Sequence, residues 1–134
     1  LLPFPFSPYF SLDSSTLQAK NKRLELISEN IANTSTPEFK ARDLDFGVFI
    51  ESAQNQNSER STTTHPNHID LGDDDLTFEE SITFHQPLTR SIDGNTVEIG
   101  VEQAKFGKAV ADYEAAVGFL ENRISGIRKA LRGE

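Results

Sequence analysis

A heptad repeat of large apolar residues runs through the C-terminal part of the chain. Eight side chains follow one another at alternating spacings of four and three residues: Phe106, Val110, Tyr113, Val117, Leu120, Ile124, Ile127 and Leu131. Such spacings mark the a and d positions of a coiled-coil helix. The repeat therefore predicts a long C-terminal helix, and these eight residues, here called the seam, need a neighbouring helix to cover them.

A second row of mostly small residues lies beside the seam: Gly107, Ala111, Ala115, Gly118, Asn122 and Gly126. Small side chains let another helix approach closely, although a helical Gly costs about 1 kcal/mol relative to Ala. Two interpretations stay open. The row is either a close helix contact or a set of positions that only weaken the helix.

An amphipathic helix is predicted near the N-terminus. Three polar residues are candidate N-caps: Asp13, Ser14 and Ser15. Apolar residues recur every seven positions, with Ile27 at an intermediate one: Phe10, Leu17, Leu24 and Ile31. The helix is expected to end near Asn33 in a left-handed conformation, because Asn tolerates positive φ, and Pro37 favours extended geometry at the residue before it.

The sequence between the two helices is polar and acidic. Alternation over Thr77–Phe84 predicts one or two short strands, and Asp93-Gly94-Asn95 predicts a turn. We therefore expect three segments, residues 1–46 with the N-terminal helix and an extended segment, 47–95 as a partly β or disordered insert, and 96–134 as the heptad helix. The predicted fold is mainly α, with the two long helices paired as an antiparallel coiled coil.

Charge and composition exclude several classes of protein. Residues 43–102 contain 2 basic and 13 acidic side chains, a net charge of −11, within a chain of net charge −8. Such a surface would repel a phosphate backbone, so no nucleic-acid partner is expected. The chain has no cysteine, which excludes disulfides and thiolate catalysis. It also has no apolar run of the roughly 20 residues that a membrane span needs.

A metal site is the main alternative that the polar residues raise. His65 and His68 lie three residues apart and close to the acidic run Asp70–Asp75. Pro66 interrupts a helical presentation of the two imidazoles, and a calcium-loop frame from Asp70 lacks its required Gly and Glu. We therefore expect no metal and no cofactor. No nucleophile, phosphate-loop or dinucleotide motif points to an enzyme.

Three segments resemble the bacterial flagellar axial proteins. Ser28 to Phe46 reads SENIANTSTPEFKARDLDF, Thr64 to Ile69 reads THPNHI, and Asp93 to Phe106 reads DGNTVEIGVEQAKF. The three occur in the family's order, and the resemblance spans most of the chain. Where these proteins commonly carry Gly-Tyr or Asn-Tyr, this chain has Glu38-Phe39.

The resemblance implies a structural subunit of the proximal rod of the flagellar basal body. Such a subunit assembles helically, transmits torque and encloses the export channel. Its implied partners are copies of itself, other proximal rod proteins, adaptor and MS-ring proteins at the rod base, and the export apparatus. The implied location is the basal body across the periplasm, reached without a cleaved signal peptide.

The assembly interface is expected on both helices and on the segment after the first helix. It comprises the seam together with Leu17, Leu24, Ile27, Asn30, Ile31, Asn33, Pro37, Arg42 and Asp43. Arg42 is expected to pair with Asp43, Asp45 or a neighbour's carboxylate. The alternatives are another axial protein of the rod or hook, a soluble coiled-coil adaptor or secretion chaperone, and a metal-dependent hydrolase.

Overall fold

A computed structural model describes residues 7–59 and 78–133 of the chain. The elements in chain order are α1 (Ser7–Ala32), β1 (Arg42–Leu44), α2 (Phe46–Glu59), β2 (Ile82–Phe84) and α3 (Ile99–Arg132). The described chain is mainly helical, and α1 packs along α3. The predicted fold class is therefore confirmed. The candidate metal ligands at 65, 68 and 70–75 lie outside the described residues.

Two contacts near opposite ends of the helix pair establish its direction. Asn30, near the end of α1, meets Glu102, near the start of α3. Asp13, in the early part of α1, forms an ion pair with Arg123, near the end of α3. The two helices are therefore antiparallel, as predicted.

The face of α1 that is buried differs from the predicted heptad row. The buried residues are Ala19, Leu26, Ile27 and Asn30, whereas Leu17, Leu24 and Ile31 are only half-buried. At 3.6 residues per turn, that row lies nearly half a turn from Ala19 and Leu26. The sequence predicted an apolar face correctly, but only Ile27 of its members lies in the core.

The predicted start of α1 needs correction, and so does the conformation predicted for Asn33. The helix begins at Ser7, before the candidate caps Asp13–Ser15, and Pro8 lies in its first turn. Proline suits that place because its fixed φ matches the helix and its missing N–H would be unpaired there. The helix ends at Ala32, near the predicted residue, but Asn33 is not left-handed. Among the described non-glycine residues, only Glu38 has positive φ, at 59°.

A small hairpin and α2 form the core with the middle of α1. β1 and β2 are antiparallel, with Arg42 opposite Phe84 and Leu44 opposite Ile82. The strand prediction over Thr77–Phe84 holds only for the last part, because residues 78–80 are helical. The core cluster consists of Ala19, Leu26, Leu44 and Phe49, with Ile50, Ala53, Phe78 and Ile82 packed against it.

Helix α2 was not predicted. Asp45 precedes it and accepts hydrogen bonds at Oδ1 from the backbone N–H groups of Gly47 and Val48, at 3.0 and 3.2 Å. This is N-cap chemistry. The helix buries Phe49, whose ring stacks on Phe78 with centroids 4.9 Å apart. The first part of the predicted insert is therefore helical.

Candidate functional site at the helix junction

The end of α1 and the start of α3 meet at a buried pair of polar side chains. Asn30 is 1% exposed and Glu102 is 0% exposed. The Asn30 Nδ2 group donates to Glu102 Oε2 at 2.9 Å and to the Arg42 carbonyl at 2.7 Å. Asn30 Oδ1 accepts from the Arg42 backbone N–H at 3.0 Å. One amide therefore joins α1, β1 and α3.

Two ion pairs surround this amide. Arg23 binds Asp43 with two hydrogen bonds, Nε to Oδ1 at 2.9 Å and Nη2 to Oδ2 at 3.2 Å. Lys105 Nζ lies 3.2 Å from Glu102 Oε1 and 3.8 Å from Asp43 Oδ2. The hydrogen bond with Asp43 raises the pKa of Arg23, against the lowering effect of burial. Two cations and two anions thus balance each other at the junction.

Asn95 closes the C-terminal end of α1. Its side-chain Nδ2 group lies within hydrogen-bond distance of three carbonyl oxygens, those of Asn33 at 3.0 Å, Thr34 at 2.9 Å and Thr36 at 2.9 Å. Its Oδ1 accepts from the Val97 backbone N–H at 2.8 Å. Carbonyls at a helix end lack partners within the helix. Asn95 is 6% exposed. It lies 61 residues after Thr34 in the chain and supplies a donor to the turn that follows α1.

Backbone hydrogen bonds continue this pairing. The Glu38 N–H donates to the Asp93 carbonyl at 2.9 Å, and the Thr96 N–H donates to the Phe39 carbonyl at 3.0 Å. The Ala41 N–H donates to Thr96 Oγ1 at 2.8 Å. The two segments that resemble the flagellar axial proteins most closely, 28–46 and 93–106, are therefore in direct contact. We call this contact, with the polar pairs above, the junction.

The loop before α3 has its own turn. The Gly94 N–H donates to the Ser91 carbonyl at 3.3 Å, and Gly94 has φ of 74°. Hydrogen bonds from Ser91 Oγ and the Asn95 N–H lower the pKa of Asp93. The turn that Asp93-Gly94-Asn95 predicted is present, and it begins at Ser91.

The chemistry of the junction is structural. Over residues 7–59 and 78–133, no group of three His, Asp or Glu side chains is arranged to hold a metal ion. Within the same ranges, every buried side-chain nitrogen and oxygen atom has a hydrogen-bond partner. Because the polar atoms satisfy one another, the junction holds elements together.

The structure brings part of the predicted interface into the junction. Asn30, Arg42 and Asp43 take part in it, and Asn33 donates its side-chain N–H to the Glu29 carbonyl at 2.7 Å. Arg42 pairs with Glu29 on α1, which corrects the expected pairing with Asp43 or Asp45. Pro37 is exposed in the turn.

The seam is only partly covered within the chain. Phe106 and Ile124 are each 38% exposed and Leu131 is 82% exposed. The other members are half-buried: Val110, Tyr113, Val117, Leu120 and Ile127. The buried residues of α3 are Glu102 and Ala109, so the face that meets α1 lies to one side of the seam.

The contact between the two helices loosens beyond Ala109. A groove of about 420 Å³ separates them there, lined by Asp13, Thr16, Lys20, Asp112, Ala115, Ala116, Phe119, Leu120 and Arg123. A Cβ atom added at Gly107, Gly118 or Gly126 would meet no heavy atom within 4 Å. Within the described chain, the small-residue row is therefore not a close helix contact.

Three junction residues were missed by the sequence analysis. Arg23, Asn95 and Glu102 lie in helices or turns whose location was predicted, but their partners are far away in the chain. The seam gave no signal for Glu102, because the next position of its spacing before Phe106 is Gln103.

The comparisons with known proteins point to one family. A family model described as "Flagella basal body rod protein" matches residues 13–40. A relative from Aeromonas hydrophila, named "Flagellar basal body rod protein FlgB", is 37% identical over 129 residues and 96% of each chain. The chain belongs to the FlgB family of flagellar basal body rod proteins.

Other FlgB relatives show the same coverage. One from Cereibacter sphaeroides is 36% identical over 96% of this chain and 98% of the relative. One from Proteus mirabilis is 30% identical over 92% of this chain and 93% of the relative. The predicted family is confirmed, and with it a place in the flagellar basal body. In the described part of the chain, no helix is long and apolar enough to cross a membrane.

Proposed function

We propose that this FlgB-family chain is a non-catalytic protomer of the proximal rod that assembles helically through the seam of α3. The observation that carries the proposal is the exposure of seam residues in the isolated chain, up to 82% at Leu131. Burying a large apolar side chain contributes roughly 1.5 to 3 kcal/mol. Covering the seam with neighbouring subunits would therefore favour assembly.

The shape of the protomer supports a helical array. The seam and the groove between α1 and α3 share Leu120, but the other seam residues lie outside the lining of the groove. A contact between two unlike surfaces does not close on itself in a pair, and its repetition generates a helix of subunits. A helical array around an axis would enclose an export channel.

The junction supports transmission of torque. Asn30 and Asn95 donate hydrogen bonds and Thr96 accepts one, and together these join α1, the segment after it and the segment that leads into α3. A subunit whose elements are connected in this way would pass a twisting load to its neighbours with little internal displacement. We propose that copies of this chain, other proximal rod proteins, and adaptor and MS-ring proteins at the rod base are those neighbours.

We place the assembled protein in the periplasmic part of the basal body. Delivery would use the flagellar export apparatus, without a cleaved signal peptide. The exposed seam is compatible with this route, since the isolated subunit leaves a surface to be covered at its destination.

The test compares two carboxylates placed side by side on α3. Ile124→Asp puts a charge in the seam, and Ser125→Asp puts the same charge a quarter turn away at an exposed position. Each replaces the native chain in a motile bacterium, and basal bodies are isolated and probed for the protein. We expect Ile124→Asp to be exported but absent from basal bodies, with motility lost, and Ser125→Asp to assemble normally. Equal incorporation of the two variants would contradict the proposal.

A further inference from the structure

Glu102 is the largest side chain that α3 buries. All of α3 lies within the described residues, and its other buried residue is Ala109. A methyl group offers little to interlock with α1. Burying a carboxylate costs free energy because the group loses its hydration, whereas burying a leucine of similar size has no such cost. Apolar packing therefore does not explain why position 102 is Glu. Apolar packing also leaves the position of α3 along α1 weakly defined.

The half-buried apolar residues do not define that position either. Neither the row Leu17, Leu24 and Ile31 nor the seam forms the buried face of its helix. Where the helices face each other beyond Ala109, α1 presents the polar residues Asp13, Thr16 and Lys20. Sliding one helix by a heptad, about 10 Å at 1.5 Å per residue, would therefore change few apolar contacts between them.

The polar contacts distinguish these registers. A slide of one heptad in one direction would place Glu102 opposite Arg23, whose guanidinium already binds both carboxylate oxygens of Asp43. A slide in the other direction would place it beyond the end of α1 at Ala32. Either shift leaves the buried Asn30 amide without the acceptor it has at 2.9 Å. An unpaired buried donor is unfavourable.

We propose that Glu102 is a positioning residue that selects one register of α1 and α3 through its hydrogen bond with Asn30. A single buried polar residue fixes register in coiled coils in the same way, at some loss of stability. The register sets where the seam lies relative to the junction. The importance of the register for the rod rests on the proposed function, because the position of the seam matters only if subunits meet there.

The register can be measured in the purified full-length chain. The chain has no cysteine, so nitroxide labels can be attached at Ser28→Cys and Ser125→Cys, both exposed. Electron double resonance should give one narrow label-to-label distance with Glu102 in place. Glu102→Leu should broaden the distribution or add a population shifted by about 10 Å. Glu102→Gln keeps the length of the side chain and an acceptor oxygen, and should restore the single distance.

Glu114→Leu is the matched control, because it makes the same replacement at an exposed position of α3 and should leave the distance unchanged. If Glu102→Leu does not fold, Glu102→Asp replaces it, since Asp keeps the charge but is too short to reach Asn30, and should broaden the distribution. An unchanged distance in the folded Leu or Asp variant would overturn the proposal. Broadening in Glu102→Gln as large as in Glu102→Leu would also overturn it.

Isolated basal bodies separate this proposal from the proposed function. If the wild-type chain is missing from them, the proposed function fails, while the distance measurement on the purified chain still decides the register. If the wild-type chain is present and Glu102→Leu keeps one distance, the register proposal alone fails.

Discussion

Asn95 donates its side-chain amide to the carbonyl of Asn33 at 3.0 Å, across 62 positions of the chain. The same group lies 2.9 Å from the Thr34 and Thr36 carbonyls. The turn that ends α1 thus depends on a donor from the segment that begins α3. These bonds add to the local ones of the turn, such as that from the Thr36 N–H to the Asn33 carbonyl at 3.1 Å.

Replacing Asn95 with Ala should lower the free energy of unfolding by about 1 to 2 kcal/mol, because three carbonyls of the turn lose the hydrogen bonds from a buried amide. Asn95→Asp should be at least as destabilising, since it places carboxylate oxygens against three carbonyls. Chemical denaturation of the purified chain measures both effects. Asn122→Ala, at an exposed site of α3, is the control and should not reduce stability, because Ala is the better helix former. A loss below about 0.5 kcal/mol at Asn95 would show that the contact is dispensable.

Glu38 and Gly94 should respond to substitution in opposite directions. Both have positive φ, 59° and 74°, and they lie against each other, with a Cβ at Gly94 placed 3.6 Å from Glu38 Cγ. Glu38→Gly should raise the free energy of unfolding by about 0.5 to 1 kcal/mol, because Gly adopts this conformation without strain. Gly94→Ala should lower it by about 1 kcal/mol for the converse reason. Thermal unfolding of the two variants checks the signs, and a loss of stability in Glu38→Gly would contradict this explanation.

The resemblance to axial proteins had already marked Glu38 as a departure, because those proteins commonly carry Gly or Asn at this place. The structure supplies the physical reason, since the position is left-handed. The sequence had assigned the left-handed residue to Asn33 instead. Both residues follow α1, and a local pattern does not indicate which of them turns the chain.

Asp93 should contribute to stability in a pH-dependent way. Its pKa is lowered in the folded chain, chiefly by the hydrogen bond from Ser91, so the folded state binds this proton less readily than the unfolded state. The contribution is therefore fully present above the unfolded pKa of about 4 and is lost as pH falls through the lower folded value. The stability difference between wild type and Asp93→Asn should be constant near neutral pH and shrink in acid. Denaturation curves across pH 2 to 7 test this, and a difference independent of pH would contradict it.

Local patterns in the sequence predicted the long elements of the fold. The heptad repeat predicted α3, and the apolar recurrence to Ile31 predicted α1 and its end. The early start of α1 and the presence of α2 also have local signals in the sequence. Ser7-Pro8 is a helix start, and Asp45 caps an apolar pattern of Phe46, Phe49, Ile50 and Ala53.

The junction was less predictable because its partners are distant in sequence. Asn30 and Glu102 stand 72 positions apart, and neither residue indicates the other. The buried face of α1 was also misjudged for a physical reason. Large apolar residues suggested the row of Leu17 and Leu24, whereas Ala19 is fully buried because it faces the core cluster. Side-chain size indicates a tendency to be buried and does not say which face meets the neighbour.

We propose that other subunits cover the seam in the rod. The most direct measurement is site-specific photo-crosslinking in living cells, with benzoylphenylalanine in place of Leu131, which is 82% exposed on the seam. Lys129, exposed on the opposite side of α3, is the matched control position. We expect covalent adducts from position 131 to copies of this chain or to other rod proteins in isolated basal bodies, with a much lower yield from position 129. A chain that is present in basal bodies yet gives no adduct from position 131 would contradict it.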